Sequence, residues 1–215
     1  MSSGNESNRA RPSENLKIDL RGIGSMAPGH LAADLLPQER RWPLVVGNLP
    51  ALPENFQSRE IATLLNALFP LTGEMLTYLI LGSAGVGKSQ AAAHAVRRGL
   101  DSADVELAIW ITARNRGEIL SVFAEAAHKV LNLSQPYPAL QGAADLMLEW
   151  LSGTNRRWVV VLDDLVTPAD AEGLWPSGPT GAVIVTSRSR KISVQGDDPG
   201  RLSWDRMMLP RPPII

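Results

Sequence analysis

The sequence predicts an α/β fold, a three-layer sandwich built on a mostly parallel sheet of four to five strands. Three observations predict it. Short apolar runs alternate with amphipathic helical stretches, the order that produces right-handed crossovers and a parallel sheet. One run, Trp158-Val159-Val160-Val161-Leu162, is apolar at every position, as suits a strand covered on both faces. Another, Leu76-Thr77-Tyr78-Leu79-Ile80-Leu81, closes on glycine and leads into an alanine-rich helix.

Residues 1–50 are rich in Ser, Asn, Pro, Gly and Arg and poor in aromatics, so a disordered or loosely structured tail is expected. Within it, residues 23–36 offer a short helix around Leu31, Leu35 and Leu36. Basic and acidic residues are mixed there, which favours a solvated tail over a nucleic-acid arm. Order is expected from near Leu52, with one domain over residues 51–209 and a C-terminal tail over 210–215.

Ile61, Leu64, Leu65 and Leu68 recur at helical spacing and form one apolar face, ended by Pro70. The strand at Leu76 follows. Ser89 to Leu100 reads as a helix, and Val105 to Thr112 as a strand. Ile119, Leu120, Phe123, Ala124, Ala127, Val130 and Leu131 mark one helix face, and Ala144, Met147, Leu148 and Leu151 another, with Pro136 and Pro138 between them. Arg157 to Leu162 is a strand. Thr167 is placed to cap a short helix with Pro168 at its first position. Gly181 to Thr186 is a fourth strand, and Arg201 to Leu209 supplies a candidate fifth. No internal repeat is present.

Composition narrows the function classes. A net charge of −1 gives no global attraction to nucleic acid or to an anionic membrane. With no cysteine there are no disulfides and no thiolate metal sites, as expected of a cytoplasmic protein. The polar N-terminus lacks the apolar stretch of a signal peptide, and no run approaches the roughly 20 residues of a membrane helix. His30, His94 and His128 are too scattered to suggest a metal site. Trp110, Trp150 and Trp158 fall where core packing explains them. No serine sits at a strand-to-helix elbow outside the glycine-rich loop, so a Ser/His/Asp hydrolase is not supported.

That loop is Gly82-Ser83-Ala84-Gly85-Val86-Gly87-Lys88-Ser89, a full match to G-x-x-x-x-G-K-[ST]. Glycines let the backbone curl close around phosphates with its N–H groups pointing inward. The following helix, whose first turn includes Gln90, adds unpaired N–H groups and the positive end of its dipole. Lys88 has the reach for the β- and γ-phosphates, and the Ser89 hydroxyl is a hard oxygen ligand for Mg²⁺. The expected ligand is therefore ATP or ADP with magnesium. Alone, the pattern is only moderately specific; a preceding strand and a following helix give it its weight.

Asp163 and Asp164 end the apolar strand at Trp158. Ligands of parallel sheets bind beyond the carboxyl ends of the strands, which puts both carboxylates on the edge that carries the loop. Asp163 suits a direct or outer partner of magnesium, and Asp164 a group that orients water for attack on the γ-phosphate. Without the loop, the pair reads equally well as a solvated turn. Arg188 follows the fourth strand and falls on the same edge, where a guanidinium binds γ-phosphate. Arg190 and Lys191 come next, so a surface arginine in a basic run is the competing reading.

In this order, the phosphate loop, the strand ending in Asp163-Asp164, Leu174-Trp175-Pro176 and Val183-Ile184-Val185-Thr186-Ser187-Arg188 resemble the NB-ARC ATPases, members of the STAND class of signal-transducing P-loop NTPases, and the bacterial ones in particular. Upstream, Leu52-Pro53-Glu54-Asn55-Phe56-Gln57-Ser58-Arg59-Glu60 is similar to the family's phenylalanine-to-arginine motif, with Ser58 where a glycine is usual. The resemblance spans roughly residues 50–190. It implies that the Arg188 strand lies between the phosphate-loop strand and the acidic strand, making Arg188 a γ-phosphate sensor. It also implies that Phe56 and Arg59 flank adenine and ribose. The nucleotide then acts as a switch: ADP holds a closed monomer, ATP permits assembly through protein partners or self-association, and slow hydrolysis resets it.

The family's helical lid and winged-helix domains have no counterpart before residue 215, and no recognisable effector precedes residue 50. A truncated nucleotide-binding or adaptor fragment is therefore an alternative to a complete switch. A turnover enzyme, such as a small-molecule kinase or motor ATPase, is disfavoured because no arginine-rich lid interrupts the strands.

Overall fold

The computed structural model describes residues 41–53, 75–133, 139–189 and 200–203. The helix expected over 61–68, the short one within 23–36 and the Phe56–Arg59 motif lie outside the described residues.

Among the described residues there are six strands and three helices. The strands are β1 (Leu44–Gly47), β2 (Leu76–Leu81), β3 (Leu107–Thr112), β4 (Trp158–Asp163), β5 (Gly181–Ser187) and β6 (Gly200–Ser203). The helices are α1 (Lys88–Asp101), α2 (Arg116–Leu131) and α3 (Leu140–Gly153), with a 3-10 turn at Pro168–Ala171. All strand pairs are parallel, in the order β1-β3-β4-β5-β2-β6. Thus β5 lies between β2 and β4, as the resemblance implies.

The alternation of side chains along each strand divides the core in two. Ile109, Ile111, Val160, Leu162, Val183 and Val185 face one way and pack with Phe123, Ala127, Met147 and Leu151 of α2 and α3. Ala108, Trp110, Val159, Val161, Ala182 and Ile184 face the other way, against Ala91, Ala92, Ala95 and Val96 of α1. The small alanine face of α1 lets that helix lie close to the sheet. These three layers account for the unbroken apolar runs of β3, β4 and β5, which have no solvent face to make polar.

The elements given expected bounds between Leu76 and Thr186 appear within two residues of them, and one expectation needs correction. Leu44–Gly47 falls within the stretch expected as a tail, yet it forms β1 and pairs with Leu107–Trp110 of β3. The sheet therefore has one strand more than expected. The reason is nonlocal: a four-residue strand beside prolines and arginines has too little periodicity to stand out, and its partner lies some sixty residues downstream. The fifth expected strand appears as β6, with residues 204–209 outside the described residues.

Local signals end the elements. The Asn115 side chain accepts a hydrogen bond from Glu118 N at 3.0 Å and caps α2, while Asn132 closes it in the left-handed conformation. Thr167 caps the 3-10 turn through Ala169 N at 3.2 Å, with Pro168 at its first position. At the start of β4, Trp158 is fully buried and donates Nε1–H to Leu151 O at 3.1 Å. Its ring lies over Gly181, its register partner on β5, so closely that no Cβ fits there. Among the described residues, no helix is long and apolar enough to cross a membrane.

Candidate functional site

The loop between β2 and α1 is held from both ends. Gly82 N donates to Ser187 O at 3.2 Å, anchoring its start to β5. At its far end, Gly87 takes φ 94° and caps α1, and Gly85 takes φ 78°, both in the region that favours glycine. Val86 packs against the α1 side of the core. Lys88 is only 7% exposed, and its Nζ donates to Gly82 O at 2.9 Å and Ser83 O at 2.8 Å. The ammonium thus spans the loop from inside and faces the cleft.

The strand ends meet this loop. Asp163 Oδ1 accepts from Ser89 Oγ at 2.7 Å and from Thr186 Oγ1 at 2.6 Å. A single carboxylate oxygen therefore joins the first turn of α1 to the ends of β4 and β5. Thr186 Oγ1 also accepts from Asp164 N at 2.9 Å. Ser187 Oγ donates to Leu165 O at 2.7 Å and accepts from Ser189 N at 3.0 Å. Ala113 N donates to Asp163 O at 2.6 Å, which ties the end of β3 to the same point. These bonds fix backbone and side chains alike where the sheet ends.

Asp164 turns out of the strand with φ 58°, an uncommon conformation for a residue with a Cβ, though one aspartate tolerates better than most. Its carboxylate is gripped by Arg188, Nε to Oδ1 at 2.9 Å and Nη2 to Oδ2 at 2.6 Å, in a two-pronged pair. Arg114, beyond the end of β3, places Nε 3.7 Å from Oδ2. The Arg188 hydrogen bonds hold the Asp164 carboxyl below the usual carboxylate range, against the opposing effect of its partial burial. The charges of Arg188, Arg114 and Lys88 act in the same direction as the hydrogen bonds. The pair in turn raises Arg188 above its ordinary value.

A cleft of about 290 Å³ opens over these groups. Ala84, Gly85, Lys88 and Ser89 line its loop side, and Thr112, Arg114, Asp163, Asp164, Thr186 and Arg188 line the strand ends. Lys88, Ser89, Asp163, Asp164 and Arg188, singled out in the sequence, thus converge on one space. Gln90 does not line it: it lies in the first turn of α1, and its Oε1 is buried without a hydrogen-bond partner. Phe56 and Arg59 are outside the described residues.

Thr186, Thr112 and Arg114 were not singled out. The available signal is the Thr186 hydroxyl, one residue before the end of the largely apolar β5; only the sheet register shows that it meets Asp163. No local feature marks Arg114.

The donor set fits magnesium through isolated oxygens rather than a cage. Among the described residues, no cluster of three or more His, Cys, Asp or Glu side chains is placed to hold a metal. Magnesium characteristically needs no such cage, taking one or two protein oxygens with phosphates and water. The Ser89 hydroxyl and the Asp163 carboxylate, already within 2.7 Å of each other, are such oxygens.

Comparison with known proteins places the chain among P-loop domains. The profile described as "NB-ARC domain" matches residues 57–204, well over half the chain. Among solved structures, Cdc6p from Pyrobaculum aerophilum is similar at 16% identity and a TM-score of 0.46, covering 68% of this chain and 44% of that one. A structure of Drosophila ORC bound to DNA is similar at 16% identity and a TM-score of 0.48, covering 91% of this chain and 51% of that one. The Aeropyrum pernix ORC2 protein, as ADPNP-ADP complexes, is similar at 20% identity and a TM-score of 0.42, covering 66% and 44%. The chain spans about half the length of these structures or less. No curated protein matches it significantly.

Proposed function

The chain belongs to the NB-ARC family of nucleotide-binding P-loop domains, and on that premise we propose that it binds ATP and ADP in the cleft above β2, β4 and β5 as a slow signalling ATPase. The observation that carries the reading is the convergence on Asp163. The loop serine, the acidic strand and the Arg188 strand share one carboxylate oxygen, with the Lys88 ammonium held inside the loop beside them.

In this reading the loop N–H groups and Lys88 bind the β- and γ-phosphates. Ser89 and Asp163 hold magnesium, which neutralises phosphate charge when bound. Arg188 exchanges its Asp164 contact for the γ-phosphate and so distinguishes ATP from ADP. Asp164, once released, orients water. Phe56 and Arg59 sit beside adenine and ribose. The domain works as a nucleotide switch in the cytoplasm, read out through protein partners or self-assembly.

The test is purification of the full chain with measurement of bound nucleotide, magnesium-dependent affinity and turnover, beside Lys88→Ala. Tight binding with negligible turnover, weakened at least tenfold by Lys88→Ala, is the expected result, because a charge-assisted contact is worth about 1.5–3 kcal/mol. Wild-type protein that binds ATP no better than Lys88→Ala overturns the reading. Rapid turnover with an acceptor substrate replaces it with that of a metabolic enzyme.

A further inference from the structure

We infer that Arg114 is a second ligand of the terminal phosphate, a specificity-determining residue that favours a nucleoside triphosphate over a diphosphate together with Arg188. The inference rests on the nucleotide reading above and adds to it a residue that the phosphate loop, the acidic strand and the Arg188 strand do not contain.

Position comes first. The strands β3, β4 and β5 are neighbours, so their ends bring Arg114, Asp164 and Arg188 side by side along one edge. Both arginines line the cleft that also contains Lys88 and Ser89. Arg114 and Arg188 approach the same oxygen, Asp164 Oδ2, at 3.7 Å and 2.6 Å. One carboxylate is thus the shared counter-charge of two guanidinium groups.

Freedom comes second. Arg116 and Arg157 are also near strand and helix ends, but each donates to a backbone carbonyl, Glu172 O at 2.6 Å and Ala103 O at 2.8 Å. Among the described residues Arg114 has no hydrogen bond of that kind. At 3.7 Å its contact with Asp164 is an ion pair rather than a hydrogen bond, and its side chain is 64% exposed. Its planar fork of N–H donors is therefore available to a ligand entering the cleft. Asp164 is the fixed partner: its backbone is pinned by Thr186, while both arginines sit on long exposed stems.

Charge comes third. A terminal phosphate carries more negative charge than a carboxylate and presents three oxygens, enough to engage both guanidinium groups at once. A diphosphate lacks that group and leaves the arginines on Asp164. Both guanidinium groups are largely exposed, at 64% and 60%, so water and the incoming phosphate together offset the loss of their Asp164 contacts. The preference for triphosphate then depends on both arginines.

The test is calorimetric titration of the full chain with Mg-ADP and with a non-hydrolysable Mg-ATP analogue, for wild type, Arg114→Ala and Arg114→Lys. Arg114→Ala is expected to weaken the triphosphate about tenfold or more, the scale of a lost charge-assisted contact, with ADP changed less than about twofold. Arg114→Lys is expected to recover only part of the loss, because lysine keeps the charge without the fork. Equal effects on the two nucleotides, no effect on either, or full recovery by lysine overturns the inference while leaving nucleotide binding intact. Failure of the wild type to bind ADP overturns the nucleotide reading itself. Matching melting temperatures, expected for so exposed a side chain, show that the variants are folded.

Discussion

Arg188 grips Asp164 across the ends of two adjacent strands, with both of its contacts, 2.9 and 2.6 Å, within hydrogen-bond range. In nucleotide-free protein this pair should be visible in titration. The Asp164 carboxyl is expected to titrate below the ordinary aspartate value of about 3.9, and Arg188→Ala should move it upward. A carboxylate whose folded-state pKa is depressed adds stability that is complete above its unfolded pKa and lost as pH falls through the folded value. The stability gap between wild type and Arg188→Ala should therefore close in strong acid and be constant near neutrality. Carbon-detected NMR of the aspartate carboxyls and denaturation across pH check both.

Thr186→Val keeps the shape of a side chain only 1% exposed while deleting its hydroxyl. Asp164 N then loses its acceptor and Asp163 Oδ1 one of its two donors. A loss of about 1–3 kcal/mol is expected in urea denaturation, the cost of leaving buried polar groups unpaired. Thr186→Ser should retain most of the stability, which separates the hydroxyl from the methyl group.

Ser89→Ala removes the loop hydroxyl that lies against Asp163. ATP affinity in magnesium should fall by about tenfold, equivalent to about 1.4 kcal/mol, while affinity in EDTA stays near wild type. Titrations with and without the metal distinguish this from general damage to the loop, which would lower both.

Gly181→Ala drives a methyl group into the Trp158 ring. The ring is buried and anchored to Leu151 O, so it has little room to yield. A loss of about 1–3 kcal/mol is expected, measured by thermal denaturation. Gly181 opens β5 and Ser187 ends it, roughly 20 Å apart along the strand. ADP affinity of the folded variant should accordingly stay at the wild-type value.

Where the signal is local, the sequence reveals it. The phosphate loop is a contiguous string with its strand before and its helix after, and β4 is an apolar run that ends in two aspartates. Thr167 caps its element two residues from where it stands. The features missed are those that depend on register. β1 exists because Leu44 to Gly47 find β3, and nothing in those residues alone encodes the partner. Arg114 follows β3 as an ordinary charged residue in a turn; it gains meaning from β4 lying next door. Thr186 reads as one more residue of a buried strand until the pairing of β4 with β5 brings it to Asp163.

The three residues that meet at one oxygen of Asp163 are also widely spaced along the chain: Ser89 precedes Asp163 by 74 positions, and Thr186 follows it by 23. During synthesis the phosphate loop leaves the ribosome early, but the groups that complete its surroundings leave much later. A nascent chain that has reached only β4 has the loop and the carboxylates without the strand that separates them in the sheet. Nucleotide capture should therefore come late, after β5 has inserted between β2 and β4. From then on the ligand favours the finished fold by mass action. If the proposed site is right, retention of nucleotide by the newly made protein should report that its central strand is in place.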